Sequence, residues 1–514
     1  MKKETKTIVK KVIVFFLISL LFKPIWLFNN QDLGKPGNDD LSHWLHAATV
    51  VYDFDLDYQD DYIVEQGTFN YQTNAPYHPP GAGYLSAPFV FIFSLFDNQE
   101  PERLNPVGSF AYLGFFAASL FYCWMGLYLI FRIMNKKNLS TNSLIIFAVL
   151  TGTTAHFVTT RFLMSHAVEF FLCAYLCYLF ETKKSLFSGK TFSMVAIGYL
   201  LLSFTRPSTF IYSLCLIIIY AKREDYNLKN VLTVSLNFLF IGITHVVTSL
   251  YLYETFTIFH NYQTNLDEQN YLDFDIISII SNTPKIINLF FSPSLGLIWT
   301  IPVIIFGIIS ILLNKEETSN NYFLSKIFIF FYIYGSLVVL IVWQGREVSF
   351  GQRLLIGIIP FCAIKLAEYK NNTFFNRAFL FFTSISYLGY LYFYTSDNLN
   401  LKKGITLWGT EVGFAGENYI IFLFKEIPSL ENIISLLGRT IYSVNFFSFT
   451  TIENFIAVSN LDKIFNADKL YNVAKLTDLY SSVDKSYLFT VDLLIIVFCY
   501  LTTHLILGTK DRLY

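Results

Sequence analysis

Acidic side chains and histidines are concentrated in one stretch near the amino end of the chain. Asp39 and Asp40 are adjacent, and His43 follows four residues after Asp39. Adjacent carboxylates suit general-base catalysis, because one can stay ionised beside a cation while the other orients it. The alternative interpretation is structural, since acidic residues in the first turn of a helix are favoured by the helix dipole. The pair is a candidate general base, with a helix cap as the alternative.

The same stretch has a spacing that can bind a metal. On a helix, Asp39, His43 and His46 would share one face at i, i+4 and i+7, which can hold a divalent cation. Ordinary hydrogen bonding by the histidines is the alternative. The aspartates that follow at 53, 55 and 57 lack the glycine and glutamate of an EF-hand loop, so that type of calcium site is excluded. The sequence requires no cofactor, and a divalent metal ion at Asp39 and His43 stays an open alternative.

Groups that could bind an anion occur further along the chain. Tyr77 and His78 precede two prolines, so they belong to a rigid turn and not to a helix interior. Arg346 and Arg353 flank a glycine-containing turn that could hold a phosphate. Snorkelling of the arginines to lipid headgroups is the alternative. Further polar residues interrupt or border apolar runs and are candidate site residues or their neighbours: Arg161, His166, Glu169 and Arg206.

The elements that must position these residues are strongly apolar. Hydrophobic residues make up 54% of the 514-residue chain and charged residues only 15%, against about 25% charged residues in an average globular protein. Repeated apolar runs therefore predict an all-α polytopic membrane protein with about twelve transmembrane helices. The runs lie near residues 12–28, 108–131, 143–160, 162–180, 191–205, 207–220, 231–252, 293–313, 326–344, 351–367, 378–394 and 487–508.

Positive charges predict the orientation of these spans. Lysines and arginines of the short connectors and of both termini fall on one side when the runs alternate, which is the positive-inside pattern. This order requires the short run 84–96 not to cross, so it is interpreted as an interfacial or re-entrant helix. The stretch 191–220 is either two short spans bent at 205–207 or one long kinked span. The cytoplasmic connectors are short and hold no nucleotide-binding motif, so the active site is expected outside.

The expected organisation has three parts. Residues 1–394 form a transmembrane core whose first outer loop is 29–107, and residues 395–486 form a helical extracytoplasmic segment. Residues 487–514 hold the last transmembrane helix and a cytoplasmic tail. Both termini are then cytoplasmic, and the chain is integral to the membrane.

The order of these motifs resembles that of bacterial GT-C-type glycosyltransferases, which are polytopic enzymes related to the polyprenyl-phosphate-sugar-dependent mannosyltransferases and the lipid A aminoarabinose transferase. The chain has Asp40 where the family commonly has Glu, and Gln352 where it has Pro. The matching elements are Asp39-Asp40-x-x-His43, the aspartates at 53, 55 and 57, His78-Pro79-Pro80-Gly81, Arg161-Phe162-x-x-Ser165-His166, Arg206-Pro207, Gly296-Leu297 and Phe350-Gly351-Gln352-Arg353-Leu354.

The resemblance implies a GT-C-like fold in the cytoplasmic membrane and an inverting transfer of sugar from a polyprenyl-phosphate-linked donor to an acceptor hydroxyl on the outer face. Asp39, with Asp40, would deprotonate the acceptor. Arg353, with Arg346 or His78, would bind the donor phosphate. The implied partners are membrane lipid, the lipid-linked donor and a glycan, lipid or protein acceptor, with no nucleic acid. The alternatives are a lipid or polysaccharide transporter and a non-catalytic membrane scaffold.

Overall fold

The computed structural model describes the helical body between residues 38 and 395, with gaps. All regular secondary structure in this part of the chain is helical, which confirms the predicted helical class. The predictions for 12–28, Tyr77, Arg346 and 487–508 lie outside the described residues, as does that for 395–486 apart from its first residue. The described ranges are 38–58, 75–76, 78–106, 109–137, 139, 145, 148–149, 152–155, 157–158, 161–183, 189–220, 228–253, 286–291, 296–313, 319–342, 352–369 and 373–395.

The helices follow the apolar runs of the sequence. The first half of the body contains α1 Asn38–Tyr52, α2 Gly81–Ser94, α3 Phe110–Lys136, α4 His166–Thr182, α5 Gly189–Thr205, α6 Pro207–Ser213, α7 Cys215–Tyr220 and α8 Leu228–Tyr253. The second half contains α9 Ile286–Phe291, α10 Leu297–Thr300, α11 Pro302–Leu313, α12 Ser319–Val342, a 3₁₀ helix Arg353–Ile358, α13 Ile359–Glu368 and α14 Thr373–Thr395. A single helical turn, Thr153–Ala155, lies between α3 and α4.

The stretch 189–220 folds into antiparallel helical segments and not into one long helix. Tyr199 donates a hydrogen bond from its hydroxyl to the Ser213 carbonyl at 2.7 Å, although a continuous helix would hold these residues about 21 Å apart. The chain turns at Arg206, whose φ of −153° and ψ of 89° are not helical. Pro207 then begins α6, at a position where the missing N–H costs nothing. The bend at 205–207 places Arg206 at the tip of this hairpin.

Helix α2 packs beside the first half of α3 only. Tyr122 of α3 donates from its hydroxyl to the Leu85 carbonyl at 2.7 Å, and Asp97 accepts from the backbone N–H groups of Phe110 and Ala111 at 2.7 and 2.9 Å. The two helices therefore form a short hairpin that does not extend to Lys136. Half-length packing fits a re-entrant helix. That the run 84–96 does not cross a membrane stays a prediction.

Polar side chains gather at two opposite ends of the helical body. At one end Lys136 donates to the Thr182 carbonyl, and Lys137 is ion-paired with Glu181 and Glu368. We call this the lysine end. The other end holds Arg161, Arg206 and Arg353 with their carboxylate partners, and we call it the arginine end.

Two described helices, α3 and α8, are long and apolar enough to cross a membrane by length and composition. The most apolar segment of α3 is 76% buried inside the protein. The most apolar segment of α8 is only 11% buried. The exposed face of α8 carries Leu232, Leu236, Phe240, Ile243 and Val247. Shorter apolar helices are also present among the described residues. The count of about twelve spans stays a prediction.

Candidate functional site

The acidic pair of the sequence lies in the first turn of α1, and its two carboxylates bind different arginines. Asp40 is 5% exposed and accepts hydrogen bonds from Nε and NH2 of Arg161, both at 2.8 Å from Oδ2. Asp39 accepts from NH1 of Arg353 at 3.1 Å. Successive helical side chains point about 100° apart, so the two neighbours reach different parts of the chain. The pair thus ties α1 to the loop before α4 and to the 3₁₀ helix.

A third carboxylate and arginine complete the arginine end. Glu169, in the first turn of α4, is fully buried, and its Oε2 lies 4.0 Å from Nε of Arg206. Thr209 donates from its hydroxyl to Oε1, and His166 lies with Nδ1 3.0 Å from Oε2. Three carboxyl groups that can compensate the charge of three guanidinium groups therefore lie at this end. Such compensation is what a set of largely buried charges requires.

Three buried histidines lie beside these charges. The rings of His43 and His78 meet edge to face with centroids 4.9 Å apart. His46 holds the turn at residue 78 against α1, because its Nε2 donates to the His78 carbonyl at 2.8 Å while Nδ1 accepts from the Tyr58 hydroxyl at 2.7 Å. Tyr253 at the end of α8 also donates to the His78 carbonyl, at 2.9 Å. This network fixes the position of His78 relative to α1.

The same contacts bear on the metal alternative. Both ring nitrogens of His46 are engaged in hydrogen bonds, and Asp39 is paired with Arg353, so the i, i+4, i+7 set is not arranged as a ligand set. Within the described ranges no group of three His, Cys, Asp or Glu side chains is placed to hold a metal ion. The role of His46 in this structure is to anchor the turn.

Burial keeps the histidines neutral. It lowers the pKa of His46 to about 3 and that of His78 to about 4. The pKa of His43 is also well below its usual value, first through burial and then through His78 and His46, and Asp39 opposes the shift only in part. Neutral imidazoles carry one donor and one acceptor nitrogen. His78 could therefore give a bound phosphate a single hydrogen bond but no positive charge.

Two glycines at the start of α2 allow this close packing. A Cβ at Gly83 would lie 2.4 Å from Cβ of His46 and 2.6 Å from the His43 carbonyl oxygen, and one at Gly81 would lie 2.6 Å from Oγ1 of Thr205. Only the absence of a side chain lets α2 approach α1 and α5 at this distance. Gly81 and Gly83, which follow the two prolines, thus determine how closely α2 and the turn at residue 78 pack against α1 and α5.

The structure brings most of the predicted site residues together. These are Asp39, Asp40, His43, His78, His166, Arg206 and Arg353. The predicted Tyr77 and Arg346 lie outside the described residues. Arg161 and Glu169 enter as ion-pair partners; their signal in the sequence is a charge at the edge of an apolar run. Thr209 and Tyr332, which hydrogen-bond to each other at 3.2 Å beside Glu169, have no such signal.

The most exposed side chains of this arrangement are those of Asp39, Arg353 and Arg161, with 28% of the Arg161 side chain exposed. The Asp39 side chain is 32% exposed and that of Arg353 is 18% exposed, whereas Asp40 and Glu169 are more deeply buried. A carboxylate and a guanidinium that share one opening can bind a proton-bearing group and an anion side by side. A scan against models of protein families found no match, and searches of curated proteins and of solved structures found no similar protein.

Proposed function

We propose that the protein is a membrane glycosyltransferase that transfers a sugar, with inversion, from a polyprenyl-phosphate-linked donor to an acceptor hydroxyl. The observation that carries the proposal is the contact between Asp39 and Arg353, at 3.1 Å. A general base and a cation for a leaving phosphate must lie on one site for such a transfer. The resemblance of the sequence motifs to GT-C-type enzymes supplies the reaction class.

A membrane location supports the choice of a lipid-linked donor. The exposed apolar face of α8 is continuous along the helix, and large exposed apolar surfaces mark contact with lipid or another protein. Charged residues of α4, α5 and α8 lie only in first or last turns of these helices. The proposed enzyme would span the membrane about twelve times, with the arginine end on the outer face and the lysine end in the cytoplasm.

In the proposed reaction the carboxylate of Asp39 accepts the proton of the acceptor hydroxyl. The acceptor oxygen forms a bond to the anomeric carbon while the bond from that carbon to the phosphate oxygen breaks, and the electron pair leaves with the lipid phosphate. Arg353, with Arg346, stabilises the departing phosphate. Asp40 and Arg161 hold α1 so that Asp39 faces the acceptor. General-base catalysis of this kind typically contributes about 10²–10⁴-fold.

The positions of the described charges favour an enzyme over a transporter. A transporter carries ionisable groups near the middle of its spans, where they line the path of the substrate. Here the ion pairs gather at the arginine end and at the lysine end. One site at one end suits chemistry on a substrate that stays on that side.

The test uses the full-length protein in lipid nanodiscs with a panel of polyprenyl-phosphate hexoses and measures release of polyprenyl phosphate in the presence of a mixed glycan and lipid acceptor extract. We expect release with the wild-type protein and a loss of about 10²-fold or more in Asp39→Asn. The matched control is Asp53→Asn, because Asp53 is also paired with an arginine, Arg103, at 2.8 Å but outside the proposed site. Unchanged release in Asp39→Asn would show that Asp39 is not the base.

A further inference from the structure

Two buried histidines at the arginine end keep ring nitrogens without hydrogen bonds. His43 is 1% exposed, and neither Nδ1 nor Nε2 has a partner within the described residues. His166 is also 1% exposed, and its Nε2 has no partner there. Buried polar atoms in folded proteins are nearly always hydrogen-bonded, so an unpartnered one calls for an explanation. A bound ligand is one such explanation.

The two imidazoles lie near the same arginine. His166 lies close enough to His43 to interact with it electrostatically, and Arg206 lies within electrostatic range of both. His43 follows Asp39 by one helical turn in α1, so the two side chains lie on the same face of that helix. A ligand that reaches Asp39 and Arg353 is therefore placed to reach His43.

The chemistry of His166 defines the group it would bind. Oε1 of Glu169 accepts a hydrogen bond from the Thr209 hydroxyl, and Oε2 lies 4.0 Å from Nε of Arg206. When Glu169 is ionised, Nδ1 of His166 carries the proton and donates to Oε2 of Glu169 at 3.0 Å. The remaining Nε2 is an acceptor, so its partner must supply an O–H or N–H. A phosphate dianion or a carboxylate cannot do this, whereas a sugar hydroxyl can.

We propose that His43 and His166 form a binding site for the hydroxyl groups of a saccharide, next to the pair Asp39 and Arg353. A hydroxyl both donates and accepts, so it matches the donor and the acceptor nitrogen of a neutral His43 as well as the acceptor of His166. This inference rests on the proposed function and deepens it, because it separates recognition of the sugar by the histidines from recognition of the phosphate by the arginines.

The test compares binding of polyprenyl phosphate with that of polyprenyl-phosphate glucose, galactose and mannose to the full-length protein in nanodiscs by titration calorimetry. We expect at least one glycosylated lipid to bind about tenfold or more tightly than the bare lipid phosphate. This advantage should fall to about threefold or less in His43→Phe, with binding of the bare lipid phosphate unchanged. His245→Phe is the control, since His245 is another buried histidine, stacked on Phe204.

A second measurement removes hydroxyl groups from the ligand. Monodeoxy analogues of the best-binding lipid should lose affinity for the wild-type protein. The analogue that lacks the hydroxyl bound by His43 should bind His43→Asn as tightly as it binds the wild type. The inference is overturned if none of the sugars binds more tightly than the bare lipid phosphate, or if His43→Phe keeps the whole advantage. It is also overturned if that variant loses binding of the bare lipid phosphate to the same extent. A retained sugar advantage without turnover would overturn the transfer reaction and leave the saccharide site standing.

Discussion

Asp39 and Arg353 are 314 residues apart in the sequence, yet NH1 of Arg353 donates to Oδ2 of Asp39 at 3.1 Å. Each group neutralises the charge of the other. In the proposed reaction a phosphate that binds Arg353 would compete with Asp39 for the same N–H groups, so binding of the lipid-linked sugar would free the carboxylate to act as base. If the proposed function is correct, the contact couples occupation of the phosphate site to activation of the base.

This coupling predicts that Asp39→Asn binds polyprenyl phosphate more tightly than the wild-type protein does, although it loses transfer. In the wild type the phosphate must break the partly exposed ion pair, which is worth up to about 1 kcal/mol. The variant lacks this cost, so its affinity for polyprenyl phosphate should be about twofold to fivefold higher. Titration of the purified protein with polyprenyl phosphate measures it. Asp53→Asn should bind as the wild type does. Weaker binding in Asp39→Asn would mean that the carboxylate itself holds the ligand.

The pair Asp40 and Arg161 should contribute to stability more than to binding. Asp40→Asn removes the charge that compensates Arg161, and we expect it to lower the free energy of unfolding by about 1–3 kcal/mol. Arg161→Gln should have a similar effect, and the double variant should cost less than the sum because the pair acts as a unit. Denaturant titration in detergent gives the free energies of unfolding of the wild type, the two single variants and the double variant. Strict additivity would show that the 2.8 Å contact carries no coupling energy.

The extent to which the sequence predicts this site differs between residues. The bend at Arg206 follows from Pro207, because proline starts a helix readily and restricts the residue before it. Asp39 and Arg353 could be assigned as candidates from residue type and motif order. Their direct contact could not be predicted, since a pairing across most of the chain depends on how the helices pack.

His46 is a second residue whose contacts could not be predicted from the sequence. Its spacing from Asp39 and His43 is suited to a metal, but the Tyr58 hydroxyl and the His78 carbonyl occupy its nitrogens. Neither partner is visible as such in the sequence, because one is an ordinary tyrosine and the other a backbone group. Local spacing fixes which side chains share a helix face, and tertiary packing decides what they bind.

Gly83→Ala should separate α1 from α2. The new Cβ would lie 2.4 Å from Cβ of His46 and 2.6 Å from the His43 carbonyl oxygen, and a helix backbone cannot move aside locally. We expect a loss of about 1–3 kcal/mol of stability, measured as a lower melting temperature. Gly242→Ala is the matched control, since its added Cβ would meet no described atom within 4 Å other than those of its own helix backbone. A melting temperature of Gly83→Ala equal to that of Gly242→Ala would contradict the packing of α2 on α1.

The lysine end should depend on one cation. Lys137 pairs with Glu181 and Glu368, and Glu368 also binds Lys365 at 2.9 Å. Lys137→Met leaves Glu181, whose side chain is 5% exposed, without this partner, and we expect a loss of about 1–3 kcal/mol. Thermal unfolding in detergent measures it. Lys183→Met, at an exposed lysine of the same end, should leave the melting temperature within error of the wild type. If Lys137→Met and Lys183→Met lowered the melting temperature equally, net charge and not ion pairing would determine stability at the lysine end.

Acidification should destabilise the protein through its buried histidines before most carboxylates titrate. The pKa of His46 is lowered to about 3 and that of His78 to about 4, whereas an unfolded histidine has a pKa of about 6.5. Below about pH 6.5 the unfolded chain therefore binds protons that the folded protein excludes, and stability falls by about 1.4 kcal/mol per pH unit for each such histidine, down to the folded pKa. Melting temperatures between pH 7.5 and 5 should fall only below about pH 6.5. His46→Gln can still donate to the His78 carbonyl and should show a shallower decline. An unchanged slope in this variant would mean that His46 is protonated in the folded protein.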